Sequence, residues 1–483
     1  MLFKSTRGET DVRSTDALVR GIAQDGGLFV PTHIPKLDLN ELKDKSYTEL
    51  AFKILSTFLD IDESYLKESI EKAYKTFESE KERVCPIVTT KNFTYLELFY
   101  GKTLAFKDVA LIVLPYLITE SFKAENIKEK VCILTATSGD TGSAAISCFS
   151  DIENLKINVL YPTQGISEVQ RLQMTTTTGK NVEACGLKGN FDDAQQSVKE
   201  IFKDENVKKI ALDKGYILSS ANSINIGRLL PQVVYYFSAY FDLVKEKEIK
   251  LGEKINVCVP TGNFGNVLAS YIGCQMGLPI EHFIVASNDN NILSDFFNSG
   301  LYDTKREFKI TSSPSMDILV SSNLERLIYY KTDAQKTKEA MTSLQKNGIF
   351  EIDKNLFKEF FSDYATDEEV AIEIKKVFDE ENYLLDPHTA VGSVVSRKFK
   401  EKVKSDNKIL ISATASPFKF PKAICDALNI ETKNLNDFDM INKISETTKL
   451  KVPNIINEIK NATEVHKKVL EIKEVKDNVI NFL

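Results

Sequence analysis

From about residue 92 onward the chain repeats one pattern: a short β-branched run, a cluster of Gly, Ser, Thr or Asn, then apolar residues at helical spacing. Val131-Cys132-Ile133-Leu134 leads into Thr135-Ala136-Thr137-Ser138-Gly139-Asp140-Thr141-Gly142 and a small-residue helix. Ile157-Asn158-Val159-Leu160-Tyr161 leads through Pro162 to a helical run from Ser167 to Met174. Ile255-Asn256-Val257-Cys258-Val259 precedes Pro260-Thr261-Gly262-Asn263-Phe264-Gly265-Asn266, and Phe283 to Ala286 and Ile409 to Ile411 repeat the pattern. Strands that alternate with helices pair in parallel and are buried on both faces, so the expected class is α/β with mostly parallel sheets.

Both ends of the chain depart from this rhythm. The first 90 or so residues open with a loop-rich stretch holding Asp25-Gly26-Gly27-Leu28-Phe29-Val30-Pro31, and then show helical spacing over Tyr47 to Leu59 and Tyr65 to Phe77. They predict a small, mainly helical N-terminal unit. The last forty or so residues, rich in Lys, Glu, Asn and Ile, predict one or two amphipathic helices with a solvated charged face.

Chemistry enters where the strands end. Lys107 stands between alternating apolar residues (Phe93, Tyr95, Leu96, Leu98, Phe99) and a helical apolar run from Val109 to Ile118. Desolvation there favours the neutral amine, the form that attacks a carbonyl. Gly262 to Asn266 follow a strand and open a helix, so close-approaching backbone N–H groups and the helix dipole suit a monophosphate. The loop carries neither G-K-[ST] nor G-x-G-x-x-G, which sets it apart from nucleotide-binding loops. Ser138-Gly139-Asp140-Thr141-Gly142 offers two hydroxyls and several N–H groups to a carboxylate. Two such loops on one edge of a parallel sheet suggest a cleft for a ligand with two anionic ends, while a tight structural turn is the competing reading of each.

Ser219 to Arg228 form a polar cluster running into an apolar helix from Leu229 to Leu243. Asn222 or Ser223 would cap that helix. Asn225 and Arg228, three apart and so on one face, would meet a second phosphate. Ser412 to Pro421 follow a strand, where a strand-end hydroxyl would suit a ring nitrogen, or else form an ordinary turn.

The composition narrows the partners. A formal charge of −7 argues against nucleic acid or an anionic membrane as the main partner. The seven cysteines form no C-x-x-C pair and the four histidines are scattered, so neither a disulfide framework nor a metal site is expected. No stretch reaches the roughly 20 apolar residues that span a bilayer. The start shows no apolar run of signal-peptide length, and the expected compartment is a reducing cytoplasm.

A Schiff-base lysine, a phosphate loop, a carboxylate loop and a strand-end hydroxyl suit pyridoxal phosphate. With Ser5-Thr6-Arg7-Gly8, Thr103-Leu104-Ala105-Phe106-Lys107-Asp108, Asn222-Ser223-Ile224-Asn225, Leu385-Asp386-Pro387-His388 and Lys419-Phe420, the chain resembles the longer bacterial and fungal threonine synthases. These are fold type II, tryptophan-synthase-β-like pyridoxal-phosphate enzymes. The resemblance implies two mostly parallel α/β subdomains flanking the cofactor, beside the small helical N-terminal domain. The expected division is 1–90, then 91–130 with 229–483 as the large unit, and 131–228 as the small one.

By the same resemblance Lys107 anchors the cofactor and is the catalytic base. Gly262, Asn263, Phe264, Gly265 and Asn266 hold its phosphate, Thr414 its ring nitrogen, and Asp140 lies near its 3′-oxygen. Ser138, Gly139 and Thr141 take the substrate carboxylate, and Ser223, Asn225 and Arg228 the leaving phosphate. The implied reaction turns O-phospho-L-homoserine and water into L-threonine and phosphate, in a monomer or homodimer. The alternatives are a phospho-lyase releasing 2-oxobutyrate and a non-catalytic binding protein. Two departures stand out: Tyr100 and Lys102 where His and Pro are usual, and Ser416-Pro417 where His-Pro is usual. Tyr100 would still donate a hydrogen bond, and Lys102 would add charge near the substrate phosphate.

Overall fold

A computed structural model describes residues 1–77, 79 and 83–483. Two parallel sheets organise it. The larger has six strands in the order Phe360–Tyr364, Ile280–Ser287, Ile255–Pro260, Ile409–Ala413, Thr94–Glu97 and Ile87–Thr89, and only the last pairs antiparallel. The smaller has five parallel strands: Val469–Leu470, Val182–Leu187, Leu155–Pro162, Lys130–Ala136 and Tyr216–Ser219.

The apolar runs explain the burial. Every residue of Ile255–Pro260 and Ile409–Ala413 is buried, because helices cover both faces of the sheet. One face meets the N-terminal helices and the long helix Ile226–Lys245; the other meets Pro387–Val403 and the helices near the C-terminus. The helix Ile226–Lys245 is apolar almost all round, which is why it is buried through nearly its whole length. Helix starts carry reciprocal side-chain caps, as at Ser46 with Glu49 and Ser167 with Gln170.

Four local expectations need correction. The loop-rich opening contains a three-stranded antiparallel sheet, Val12–Arg13, Leu2–Ser5 and Phe29–Pro31. Its strands of two to four residues are too short to show a period. The boundary at residue 90 cuts a hairpin, since Ile87–Thr89 pairs with Thr94–Glu97 in the large sheet. The apolar run from Val109 to Ile118 is two helices, Lys107–Leu111 and Leu114–Ala124. Pro115 at the start of the second explains the break, because proline fits a first turn and not a helix interior. Finally, the chain's end does not stay with the large sheet: Val469–Leu470 extends the small one, and Val475, Val479 and Leu483 pack into its core. The open edge at Gly186 and Leu187 accepts a strand too short to be read from its pattern.

Candidate active site

The carboxyl ends of both sheets border one cleft of about 1010 Å³, where the strand-to-helix loops converge. Lys107, Thr141, Ser223, Asn225, Arg228, Gly262 to Asn266, Ser315, His388 and Thr414 border it. Ser138, Gly139 and Asp140 lie outside the lining, although Asp140 contacts Lys107. A separate polar groove of about 470 Å³, edged by Lys91, Lys400, Lys404 and Lys408, sits at the opposite ends of Thr94–Glu97 and Ile409–Ala413, away from all these residues.

Lys107 begins its helix with a side chain only 12 % exposed, and its Nζ donates to Ser315 Oγ at 3.1 Å and faces Asp140 Oδ2 at 3.4 Å. Burial lowers its amine below the usual lysine range against the pull of Asp140, and the charges of Lys419 and Arg228 push the same way as burial. The motif is held from outside: Asp108 accepts from Thr103 N–H at 2.7 Å and Thr103 Oγ1 at 2.6 Å, while Phe106 N–H donates to the Thr414 carbonyl at 2.8 Å.

Asp140 opens the helix Asp140–Phe149. Its Oδ1 receives Lys419 Nζ at 2.8 Å and Gln170 Nε2 at 2.9 Å; its Oδ2 receives Ser315 Oγ–H at 2.7 Å. Burial alone would raise this carboxyl, but Lys419, Lys107 and His388 outweigh it and hold it well below the usual carboxylate range. The loop before it is braced by Thr137 Oγ1, which accepts from the N–H groups of Gly139 and Gly142 at 2.9 and 2.8 Å. Gly139 adopts φ 132°, and a Cβ there would come within 2.5 Å of Gln170, so glycine lets Gln170 reach Asp140.

Two carbonyls of the Gly262–Asn266 loop are already engaged by side chains. Ser321 Oγ–H donates to the Gly262 carbonyl at 2.7 Å, and Asn323 Nδ2 to that of Asn263 at 3.0 Å. The loop lines the cleft at the head of the helix Gly265–Met276, whose first N–H groups have no partner within the helix and no side-chain cap from Phe264. Phe264, at φ 63°, anchors the turn by burying its ring against Phe297 and Phe360. Asn266 Oδ1 accepts from the hydroxyls of Tyr235, at 2.8 Å, and Tyr236, while its buried Nδ2 has no partner. A buried amide donor left open beside a loop of N–H groups is what a phosphate oxygen would satisfy. With Lys107 and Thr414 facing the same cleft, the residues present fit pyridoxal phosphate.

Arg228 is 4 % exposed and ion-pairs with no carboxylate among the described residues. Its Nη1 donates to the Ala221 carbonyl at 2.7 Å, its Nε has no partner, and burial lowers its pKa to about 10. Asn225 corrects the expectation that Asn222 or Ser223 caps the helix. Asn225 is itself the cap, its Oδ1 accepting from Gly227 N–H at 2.9 Å and its Nδ2 donating to the Leu18 carbonyl at 2.9 Å. That side chain is occupied in fixing the helix start to the N-terminal unit. Tyr100 also turns elsewhere, donating to Glu97 at 2.7 Å, and Lys102 is exposed outside the cleft lining.

Three contributors went unread in the sequence. His388 and Lys419 stand in quoted motifs that assigned them no role. His388 Nδ1 meets Asp386 Oδ1 at 2.8 Å and its Nε2 accepts from Ser315 N–H at 3.2 Å; Lys419 is wholly buried against Asp140 and the Thr103 carbonyl. Ser315, in the short turn Pro314–Met316, follows no strand and carries no motif.

Comparison with known proteins identifies the family. Family models described as "Threonine synthase N terminus", "Pyridoxal-phosphate dependent enzyme" and "Threonine synthase, C-terminal" match residues 2–74, 89–415 and 389–476. The chain is 37% identical to threonine synthase of Saccharomyces cerevisiae over 89% of each chain. It is 39% identical to human threonine synthase-like 1, over 87% of this chain and 58% of that one. The crystal structure of PLP-bound threonine synthase from Brucella melitensis superposes with a TM-score of 0.88 at 37% identity, covering 100% of this chain and 99% of that chain. The cofactor is pyridoxal phosphate, and the chain belongs to the threonine synthase family of pyridoxal-phosphate enzymes.

Proposed function

We propose that this enzyme converts O-phospho-L-homoserine and water to L-threonine and phosphate by β,γ-replacement. The observation that carries the reading is a cleft with a lysine of lowered basicity between two anion sites: the Gly262–Asn266 loop and the uncompensated Arg228. Lys107 would hold the cofactor's aldehyde carbon, the loop from Gly262 to Asn266 its phosphate, Thr414 its ring nitrogen, and Asp140 would lie near its 3′-oxygen. The cofactor, when bound, supplies the electron sink that makes carbon acids next to the amino group ionisable.

The chain's residues do the rest. The Lys107 amine would take the Cα proton, hand it back to the conjugated cofactor–substrate system, and so be free to take a Cβ proton, because one flexible side chain beside both carbons can serve both; after phosphate leaves, Cγ regains a proton and water adds at Cβ. Arg228 and Ser223 meet the phosphate leaving Cγ, where a buried guanidinium stabilises developing charge far better than an exposed one would. Thr141, with Ser138 and Gly139 behind it, would bind the carboxylate at the head of the helix Asp140–Phe149. Asn225 would position Arg228 by fixing the start of its helix rather than by touching phosphate. Every candidate residue comes from one chain, so a monomer or a homodimer would serve. A reducing cytoplasm would keep the seven thiols free.

A second reading has one observation behind it: the 39% identity to threonine synthase-like 1. In that reading phosphate still leaves, but water fails to add at Cβ; it instead hydrolyses the carbon–nitrogen bond, releasing 2-oxobutyrate and ammonia. Incubation with O-phospho-L-homoserine separates the two by product. Threonine with equimolar phosphate is expected; 2-oxobutyrate with phosphate would replace the first reading with the second. A protein that binds pyridoxal phosphate and turns over nothing would leave a binding protein. The visible absorption of the bound cofactor should disappear in Lys107→Ala.

A further inference from the structure

Ser315 has so far only been located. Its hydroxyl donates to Asp140 Oδ2 at 2.7 Å and accepts from Lys107 Nζ at 3.1 Å, and its N–H donates to His388 Nε2 at 3.2 Å. Its carbonyl sits where a Cβ on Gly262 would be, 2.6 Å away, so the turn leans on the phosphate loop. The turn is fixed on its other side. Asp317 accepts from Asn288 Nδ2 at 2.8 Å, Asn290 Nδ2 at 3.0 Å, Thr311 Oγ1 at 2.8 Å and Thr311 N–H at 3.0 Å. The large sheet therefore sets where Ser315 stands, independently of Lys107.

The distances sort the partners of Asp140. Lys419, Gln170 and Ser315 all approach within 2.9 Å. Lys107 stays at 3.4 Å, well beyond the roughly 2.7–2.9 Å of a charge-assisted bond. Yet Ser315 and Lys107 address the same oxygen, Oδ2. We propose that Ser315 is a positioning residue for Lys107: by occupying Asp140 Oδ2, its hydroxyl keeps the carboxylate from closing on the amine, and it holds the amine by accepting its N–H. The proposal deepens the reading of Lys107 as the base and rests on it for the kinetic consequence, but not for the geometry.

The charges around Lys107 make the contact matter. Burial, Lys419 on the turn after Ile409–Ala413, and Arg228 on the helix Ile226–Lys245 all oppose a proton on the amine. Asp140, at the head of Asp140–Phe149, favours one. Asp108, on the helix of Lys107 itself, is engaged by Thr103. His388, on Pro387–Val403, reaches the group through the Ser315 backbone, and the Phe106 ring centroid lies 5.7 Å from Nζ. Removing the Ser315 hydroxyl frees Oδ2 for a direct lysine–carboxylate pair, which stabilises the ammonium form.

The test uses the full chain, both free of cofactor and loaded. In the cofactor-free protein the pH dependence of Lys107 acetylation by acetic anhydride, read by peptide mass spectrometry, gives the midpoint for the amine. Ser315→Ala should raise that midpoint by about one unit, and Ser315→Thr should restore it. In an Asp140→Asn background Ser315→Ala should leave the midpoint unmoved, because no carboxylate remains to close. In the loaded enzyme kcat at neutral pH should fall roughly tenfold in Ser315→Ala with KM changed less than about twofold. An unchanged or lowered midpoint in a folded Ser315→Ala protein overturns the proposal, as does the same shift in the Asp140→Asn background. Wild-type protein that makes no threonine, while its midpoint still responds to Ser315→Ala, would refute the proposed reaction and uphold this role.

Discussion

Lys419 Nζ lies 2.8 Å from Asp140 Oδ1, and the two side chains are 0 % and 4 % exposed. The lysine follows a strand of the large sheet and the aspartate follows a strand of the small one. The pair therefore joins the two halves of the cleft directly beside Lys107.

Removing one partner strands the other charge. Lys419→Met should destabilise the cofactor-free protein by about 3–5 kcal/mol, the usual result of breaking a buried pair, and Lys419→Met with Asp140→Asn by clearly less. Urea unfolding of both variants checks this; equal losses would mean that the pair's charges are not the source.

Acid sensitivity follows from the same carboxylate. The folded Asp140 carboxyl sits well below its usual 3.8. A depressed carboxylate contributes stability that is complete above the unfolded value and fades as pH falls from there toward the folded one. Asp140→Asn should therefore be less stable than wild type at neutral pH, and the difference should shrink below about pH 4 in thermal melts.

Lys107 has the same slope with pH but the opposite effect at neutral pH. Its folded value lies below the unfolded 10.5, so between the two the unfolded chain binds a proton that the folded chain does not, and stability rises with pH across that window. At neutral pH the buried ammonium is a liability, and Lys107→Met should melt higher than wild type when both lack cofactor. A lower melting temperature would show that the contacts to Ser315 and Asp140 outweigh burial.

Arg228 should behave as a binding residue rather than a structural one. A charge-assisted hydrogen bond is worth about 1.5–3 kcal/mol, so Arg228→Met should raise KM for O-phospho-L-homoserine roughly 10- to 100-fold. Stability should hold or improve, since the substitution removes a buried charge without a counter-ion. Steady-state kinetics paired with a melt separates the two effects.

Asn266→Asp keeps an acceptor for the hydroxyls of Tyr235 and Tyr236 while exchanging the open Nδ2 donor for a charged oxygen. Pyridoxal phosphate affinity should drop roughly 10- to 100-fold through repulsion of its phosphate, with the fold retained. Titration of the visible absorption of the bound cofactor measures it.

What the sequence made legible was local. Strand-ending loops such as Thr261 to Asn266 advertise themselves because the glycines, the preceding β-branched run and the following helix stand side by side in the chain. Lys107 gained meaning only from the other segments taken together, and Thr414 only from the family resemblance. Ser315 did not, because its function arises from a meeting with Asp140 and His388, residues far away in the chain, inside a turn of three residues with no periodicity. Asn225 was misread for a related reason. Its Oδ1 caps the helix through Gly227, but its Nδ2 is taken by the Leu18 carbonyl, a partner that no inspection of residues 219 to 228 contains. The closing strand Val469–Leu470 is two residues long, and only an open sheet edge gives such a segment a conformation.

That closing strand also sets a schedule. Strands from Lys130 to Ser219 are made early, yet the edge beside Val182–Leu187 is completed by residues far later in the chain. Throughout synthesis the small sheet carries an unpaired parallel edge, with its apolar neighbours Ala194, Val198 and Val207 waiting for Val475 and Val479. A nascent chain in that condition is a natural client for a chaperone. A chain stopped before Val469 would keep that edge open, so its loss should betray itself as aggregation before it is noticed as lost catalysis.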